Sequence, residues 1–523
     1  MKAKSNLVRI GCYSAFWGDS VSAATQLIKA KGLDYLVADY LAEVTMGILA
    51  RRRNQSNQKS SNNEEGKDLG GAGEGGYIAE FISFVLKQNL PDIIKRKIKI
   101  VTNAGGLDPL ACKLAIESAI QKAGIKEGQI IVAAITGDDI LNRKNELKND
   151  FKKFSHIYDN ETDSESYPSD KEKEIISLNA YLGAFPIAKA LDEGATIVVT
   201  GRCVDKCGCQ VTGGNFTDWE QSVFSPNGGW INMGYPIIEC FSNGEFIVTK
   251  PRETGGLVTT STVGEQMLYE ILDPGSYILP DVILDMRNVK LKQIDVNKVL
   301  VTGAKGRPPT DSLKLSGIYQ DVAHSILLRT RIILAKLKFK DLRNLNVETL
   351  GAEHIYGIHA RTRDTREVVL NITAVTSMAP GITGRPHPSP CLVHFSCLLP
   401  KSKVSAIVTV GNKSPLIVTF DDLAKISEIP ESPEIQENFN INNFNILVKI
   451  PLIKLAWGRS GDKGDTCNIG IVKRYELPGI NGLNFVLTKR GLSSLRIDRQ
   501  GKTYAQMLLS FKVVAPAGLF AKL

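Results

Sequence analysis

Residues 97–124, KIKIVTNAGGLDPLACKLAIESAIQKAG, hold the pattern that decides the fold. A short apolar run leads into a polar, glycine-containing loop at 103–106, and a helix-period segment follows, with Asp108 placed to cap it and Pro109 at its first helical position. The same order recurs along the first third of the chain. LVRIGCYSAFWGDS (7–20) runs into VSAATQLIKAKG (21–32), where Ser20 is placed as a cap and Gly32 as a stop, and DYLVADYLAE (34–43) follows. QIIVAAITGDDI (129–140) and ATIVVTGRCVD (195–205) repeat the plan. Continuous Val/Ile runs alternating with helices predict parallel strands buried on both faces, hence an α/β domain with its loops gathered at the carboxyl edge of the sheet.

Two segments interrupt this order. Residues 54–76 are polar and glycine-rich and residues 143–174 are dominated by charge, so both read as mobile, dispensable surface insertions. Gly71, Gly73 and Gly76 in the first spell G-x-G-x-x-G, but no strand precedes them and a low-complexity tract yields that spacing by chance. From about 230 to 400 the alternating texture predicts an α+β extension with more antiparallel pairing and a helix over 325–339. Residues 430–445 read as a linker, and a small unit of strands and loops follows at 449–515.

With 523 residues, 43% hydrophobic and 23% charged, the composition is that of a soluble globular chain of more than one domain. The net charge of +9 is spread over basic groups at 51–53, 95–99, 143–153 and 329–343, without the single basic, aromatic-interleaved face that nucleic acid requires. Nine cysteines, an odd number, fit a reducing cytoplasm better than a disulfide scaffold. The first ten residues lack the features of a secretory signal, and no apolar stretch is long enough to span a bilayer. Cys203, Cys207 and Cys209 lack the fourth ligand of a structural zinc site, and no metal is expected. The six histidines form neither zincin arrangement, and neither a G-x-S-x-G elbow nor a Walker loop occurs.

What remains are five loops after buried strands: 16–19 with Asp19; 39–43 with Asp39 and Glu43; 103–106 with Asn103, Gly105 and Gly106; 136–139 with Asp138 and Asp139; and 201–205 with Arg202 and Asp205. Singly, these residues read as helix caps and turn formers. Together, on the edge where open α/β sheets bind ligands, they read as a site. In the last unit RSGDKGD (459–465) reads as a polar loop that presents Arg459 and Lys463 after an apolar strand.

The stretches IGCYSAFWGDS, DYLVADYLAEVTMGILARR, KIVTNAGGLDPLAC, LNAYLGAFPIAKAL, IVVTGRCVD, VTKPRETGGLVT, GAKGRPPTDSLKLSG and WGRSGDKGDTCNIGIV resemble the acyclic terpene utilisation (AtuA) family over nearly the whole chain. The resemblance implies an N-terminal domain at 7–420 and a small AtuA-like domain of ferredoxin fold at 449–515. It further implies a role in the degradation of acyclic terpenes such as citronellol and geraniol, beside a carboxylase of branched acyl-CoA thioesters. On that basis the expected protein is a hydratase or lyase acting on a CoA thioester, with no cofactor evident. Asp19, Asp39, Glu43, Asp138 and Asp139 would serve as acid/base groups, while Asn103, Gly105, Gly106, Arg202, Asp205, Arg459 and Lys463 would bind substrate. A non-catalytic acyl-CoA-binding or carboxylase-assembly subunit and a degenerate member are the alternatives, and a homo-oligomer is compatible with either. Relative to the family pattern the chain is shortened after Asp205, Asp321 and Val472. The last shortening leaves too little sequence for a crossover helix, which predicts that Ile469, Ile471, Phe485 or Leu487 is exposed or that a neighbouring segment covers them.

Overall fold

In the computed structural model, the described residues are 7–62, 76–153, 167, 175–204, 219–269, 271, 273–321, 323–324, 344–351, 369–375, 391–420, 447–463, 466–473, 482–487, 505 and 508–516. They divide into two compact units, one of residues 1–263, 274–319 and 394–432, the other of 264–273, 320–393 and 433–523. In the first, strands and helices alternate as the apolar runs predict: β1 (Leu7–Ser14), α1 (Ser22–Lys29), β2 (Tyr35–Ala38), α2 (Glu43–Asn62), α3 (Lys87–Arg96), β3 (Lys99–Thr102), α4 (Pro109–Lys122), β4 (Val132–Thr136), β5 (Lys152–Lys153), β6 (Ile175–Ala180), α5 (Phe185–Asp192), β7 (Ile197–Thr200), β8 (Ile237–Phe241) and β9 (Phe246–Thr249).

The main sheet has eleven strands, and its centre runs β1-β2-β3-β7-β4, all parallel. Antiparallel strands flank this block: β8, β9, Lys298–Thr302 and Lys290–Asp295 beyond β1, and Ala406–Val410 with Leu416–Val418 beyond β4. The protein is therefore α/β with the expected antiparallel extension. All four residues of β7 are buried, as a central parallel strand requires. Asp108 caps α4 by accepting the Ala111 N–H at 3.0 Å, and Pro109 opens the helix. Ser20 does not cap α1; Val21 occupies that position, and the Ser20 hydroxyl pairs with that of Ser22 at 2.7 Å.

A second sheet in this unit runs β5, Cys391–Pro400, Ser312–Asp321, β6. One of its faces joins the main core, where Leu178, Ala180, Leu315, Phe395 and Cys397 meet Ile135, Val198 and Val408. Both insertion readings need correction. Within 143–174, Leu147 is buried in this core and Phe151 packs against it, with its ring stacked on Tyr167 at 4.7 Å between centroids. Apolar side chains scattered among charges give no periodicity, yet three of them suffice to anchor the segment. Within 54–76, α2 continues to Asn62, and the Gly76 carbonyl accepts the Leu107 N–H at 2.7 Å.

In the second unit Leu447–Pro451 pairs antiparallel with Lys512–Pro516, and Ala456–Lys463, Thr466–Lys473 and Gly482–Leu487 form an antiparallel meander. Residues 459–463 are thus strand, not loop: Arg459 pairs in register with Gly470 and Lys463 with Thr466, because the glycines in that stretch fit an extended ladder as readily as a turn. Ile469 and Ile471 are buried at 6%, so of the two expected outcomes it is cover, not exposure, that holds for them. Ala505 and Leu509 close over them with Ala456, and Leu508 packs alongside, so a neighbouring segment supplies the cover. The side chains of Phe485 and Leu487, the helix over 325–339 and the linker 430–445 lie outside the described residues.

Candidate functional site at the carboxyl edge

Because β1, β2, β3, β7 and β4 are parallel neighbours, the loops that follow them emerge side by side. The loop after β1 folds back on itself: the Asp19 carboxylate accepts the N–H groups of Ala15 at 3.1 Å and Ser20 at 2.7 Å, and the Tyr235 hydroxyl at 2.9 Å. Next to it, Asn103 joins the loops of β2 and β3. Its Oδ1 accepts the Tyr40 N–H at 2.7 Å, and its Nδ2 donates to Asp39 Oδ1 at 2.5 Å. The Tyr40 hydroxyl lies 2.6 Å from that of Tyr13, and burial, before any nearby charge, raises its pKa well above the ordinary phenol value.

Arg202 turns inward and is 1% exposed. Its guanidinium donates to the Leu41 carbonyl and the Tyr181 hydroxyl, lies 3.3 Å from Glu43 Oε1, and sits 4.7 Å from the centre of the Tyr181 ring. A buried cation held by a carboxylate, a carbonyl and an aromatic face ties the loop of β7 to the start of α2. Its backbone N–H donates to Asp138 Oδ2 at 3.3 Å, and Asn179 Nδ2 donates to the same oxygen at 3.0 Å. Asp138 is 2% exposed, and burial, reinforced by the charge of Asp139, pushes its carboxyl up to about 7 against the pull of those two donors. The Cys203 thiol, 3.1 Å from Thr200 Oγ1, is likewise pushed up to about 12 by burial, with Asp138 and Asp39 adding to the shift and Arg202 opposing it.

Helix α2 crosses the edge above these groups. Arg53 reaches Asp139 at 2.9 Å and the Leu107 carbonyl at 3.4 Å, while Arg52 lies 4.6 Å above the Trp17 ring. The basic run at 51–53, distant in sequence from the other loops, is brought to the site by the helix; reading 43–53 as an amphipathic helix that follows β2 would have found it. The glycines of 103–106 approach the chain's own backbone: a Cβ on Gly105 would stand 2.6 Å from the Thr200 carbonyl oxygen, and one on Gly106 2.6 Å from that of Gly76. The structure thus brings together Asp39 with Asn103, Glu43 with Arg202 and Asp138, and Asp139 with Arg53, and sets Asp19 toward Tyr235. Arg459 and Lys463 belong to the other unit, and Asp205, Cys207 and Cys209 lie outside the described residues. Among the described residues, no group of three or more His, Cys, Asp or Glu is arranged to hold a metal ion, and no helix is long and apolar enough to cross a membrane.

A parallel sheet flanked on both sides by antiparallel strands, with carboxylates and an arginine at its carboxyl edge, defines an α/β protein whose candidate site lies at that edge. The family model for the acyclic terpene utilisation family protein AtuA matches residues 8–206 and 206–410, and that for the AtuA ferredoxin-like domain matches residues 471–514. The chain belongs to the AtuA family. The match divides at residue 206. Neither a curated protein nor a solved structure matches the chain.

Proposed function

We propose that the protein acts in the catabolism of acyclic terpenoid or branched acyl-CoA compounds in the cytoplasm, as a hydratase or lyase whose site is the carboxyl edge described above. The observation that carries this reading is the Asp138 carboxyl, buried at the meeting of the β4 and β7 loops and pushed up to about 7, so that it holds or releases a proton near neutral pH. Hydration of an α,β-unsaturated thioester adds hydroxyl at Cβ and a proton at Cα, and needs one group that takes a proton from water and another that delivers one. Asp138 and the half-buried Asp39 and Asp139 are candidates for those tasks, with Asn103 on the thioester oxygen. Arg51 and Arg52, exposed on α2, suit the phosphates of CoA. The test is incubation with geranoyl-CoA, following loss of enoyl-thioester absorbance and gain of one water in mass, with citronellyl-CoA, which lacks the α,β double bond, as the ester that should stay unchanged.

A non-catalytic acyl-CoA-binding subunit beside a carboxylase is the second reading, favoured by the complete burial of Arg202 among the chain's own partners. Tight binding of both esters without product, and co-elution with a branched acyl-CoA carboxylase, would support it and end the hydratase reading.

A further inference from the structure

The loop after β1 carries two aromatic side chains that the fold does not bury. Phe16 is 50% exposed, although the loop itself is pinned: the Phe16 carbonyl accepts the Ser14 hydroxyl at 3.0 Å and the Asp19 N–H at 3.2 Å, and the Asp19 carboxylate is held by Ala15, Ser20 and Tyr235. Trp17 is half-buried and lies under the Arg52 guanidinium. On α2, Ile48, Arg51 and Arg52 stand at spacings of three and four, so they share one face of the helix, and all three are exposed. Arg51 has neither a hydrogen bond nor an ion pair among the described residues. Arg53, next in sequence, turns instead to Asp139, so this face borders the carboxyl edge.

Single exposed apolar side chains are ordinary on a protein surface and need no explanation. Here the exposed ring stands on a fixed loop beside two guanidinium groups, one held over an aromatic ring and the other with its donors unspent. A ring face accepts a flat base by stacking, and a guanidinium fork matches phosphate oxygens two at a time. Together they specify a ligand with a planar heterocycle and more than one phosphate close to it. An inorganic anion would leave the Phe16 ring unused, and an apolar chain laid across the patch would strip water from Arg51 without replacing it. The patch lies open at the surface, so a ligand meets it without entering a cavity.

We propose that Phe16, Arg51 and Arg52 form the docking surface for the adenosine 3′,5′-bisphosphate end of an acyl-CoA ester, with the base on the Phe16 ring and the phosphates on the two guanidinium groups. The base-and-phosphate chemistry follows from the patch; its assignment to CoA rests on the acyl-CoA reading given above.

The test uses the full chain and three probes titrated calorimetrically: geranoyl-CoA, geranoyl-pantetheine, which lacks the nucleotide, and adenosine 3′,5′-bisphosphate alone. The unaltered protein should bind the CoA ester about tenfold or more tighter than the pantetheine ester, and should bind the bisphosphate by itself. Phe16→Ala and Arg51→Ala, made singly, should each weaken both nucleotide-bearing probes by about tenfold, the loss expected of one stacked base or one charge-assisted phosphate contact, and leave the pantetheine ester bound as before. Equal affinity of the unaltered protein for the two esters overturns the nucleotide surface and leaves the acyl-CoA reading standing. A loss in the variants that falls equally on both esters, or a thermal midpoint of the ligand-free variants several degrees lower, also overturns it, since the two side chains would then be serving the fold of the loop and helix. If neither ester binds, the acyl-CoA reading fails, and the bisphosphate decides the patch: binding that is lost in both variants sustains a nucleotide surface, whereas no binding, or binding indifferent to both changes, overturns it.

Discussion

Asp138 is held where its charge is costly, and folding is therefore coupled to its protonation. The folded carboxyl is pushed up to about 7 from its ordinary 3.8, so between those limits the folded protein binds more protons than the unfolded chain. Its contribution to stability is full below the lower limit and is lost as pH rises through the upper one, at up to about 1.4 kcal/mol per pH unit. Asp138→Asn keeps the shape and removes the proton. Denaturant unfolding of the variant should show a flatter stability profile over that window, and an unaltered slope would mean that another group sets it. Gly105 allows a second test at this scale. If its role is the close approach to Thr200 and Pro109, Gly105→Ala should lower stability by about 1–3 kcal/mol without any ligand present; a variant of normal stability would return Gly105 to the binding role expected from the sequence. The positions of Asp39, Asn103, Asp138 and Arg202 were legible because a polar residue that ends a buried strand must emerge at the sheet edge. The inward turn of Arg202 was not, since Tyr181 and Leu41 come to it only through tertiary contacts.

At the scale of elements, the strand and helix order of the first 200 residues follows from period and caps, and where composition alone was the guide it misled. Helix α2 begins as an amphipathic segment, burying Met46, Leu49 and Ala50, and runs on into a polar tract that composition assigns to a loop. Strand β6 alternates in the way of a strand with one wet face, yet both of its faces are buried. Period reports which residues share a face and is silent on what covers that face. Position makes Arg53 the informative residue of α2. Its ion pair with Asp139 is partly open to solvent, so Arg53→Ala should cost less than about 1 kcal/mol of stability. If the helix guards the site, the same change should weaken geranoyl-CoA binding by about tenfold or more; equal affinity would place Arg53 outside it.

For the whole molecule, the question is which parts of the long polar segments the fold uses. Residues 143–174 contain few apolar side chains, and the chain spends three of them on the junction between the main sheet and the second sheet. Leu147 is buried in the shared core, Phe151 stacks on Tyr167, and Tyr167 meets Phe395 edge-on with ring centres 6.0 Å apart. Lys152 and Lys153 pair with Leu398 and Cys397 at the edge of the second sheet. Excising 143–174 would therefore remove an edge strand and open a cavity beneath Phe395, and loss of a buried leucine alone typically costs about 2–5 kcal/mol. The central run 155–165, SHIYDNETDSE, has a composition that cannot bury enough apolar surface to offset the entropy of ordering it. Two deletions separate these contributions. Removal of 155–165 should leave the thermal midpoint within a degree or two, whereas removal of 143–174 should lower it by many degrees or abolish folding. Equal midpoints for the two would show that Leu147, Phe151 and Tyr167 contribute nothing to the junction between the sheets.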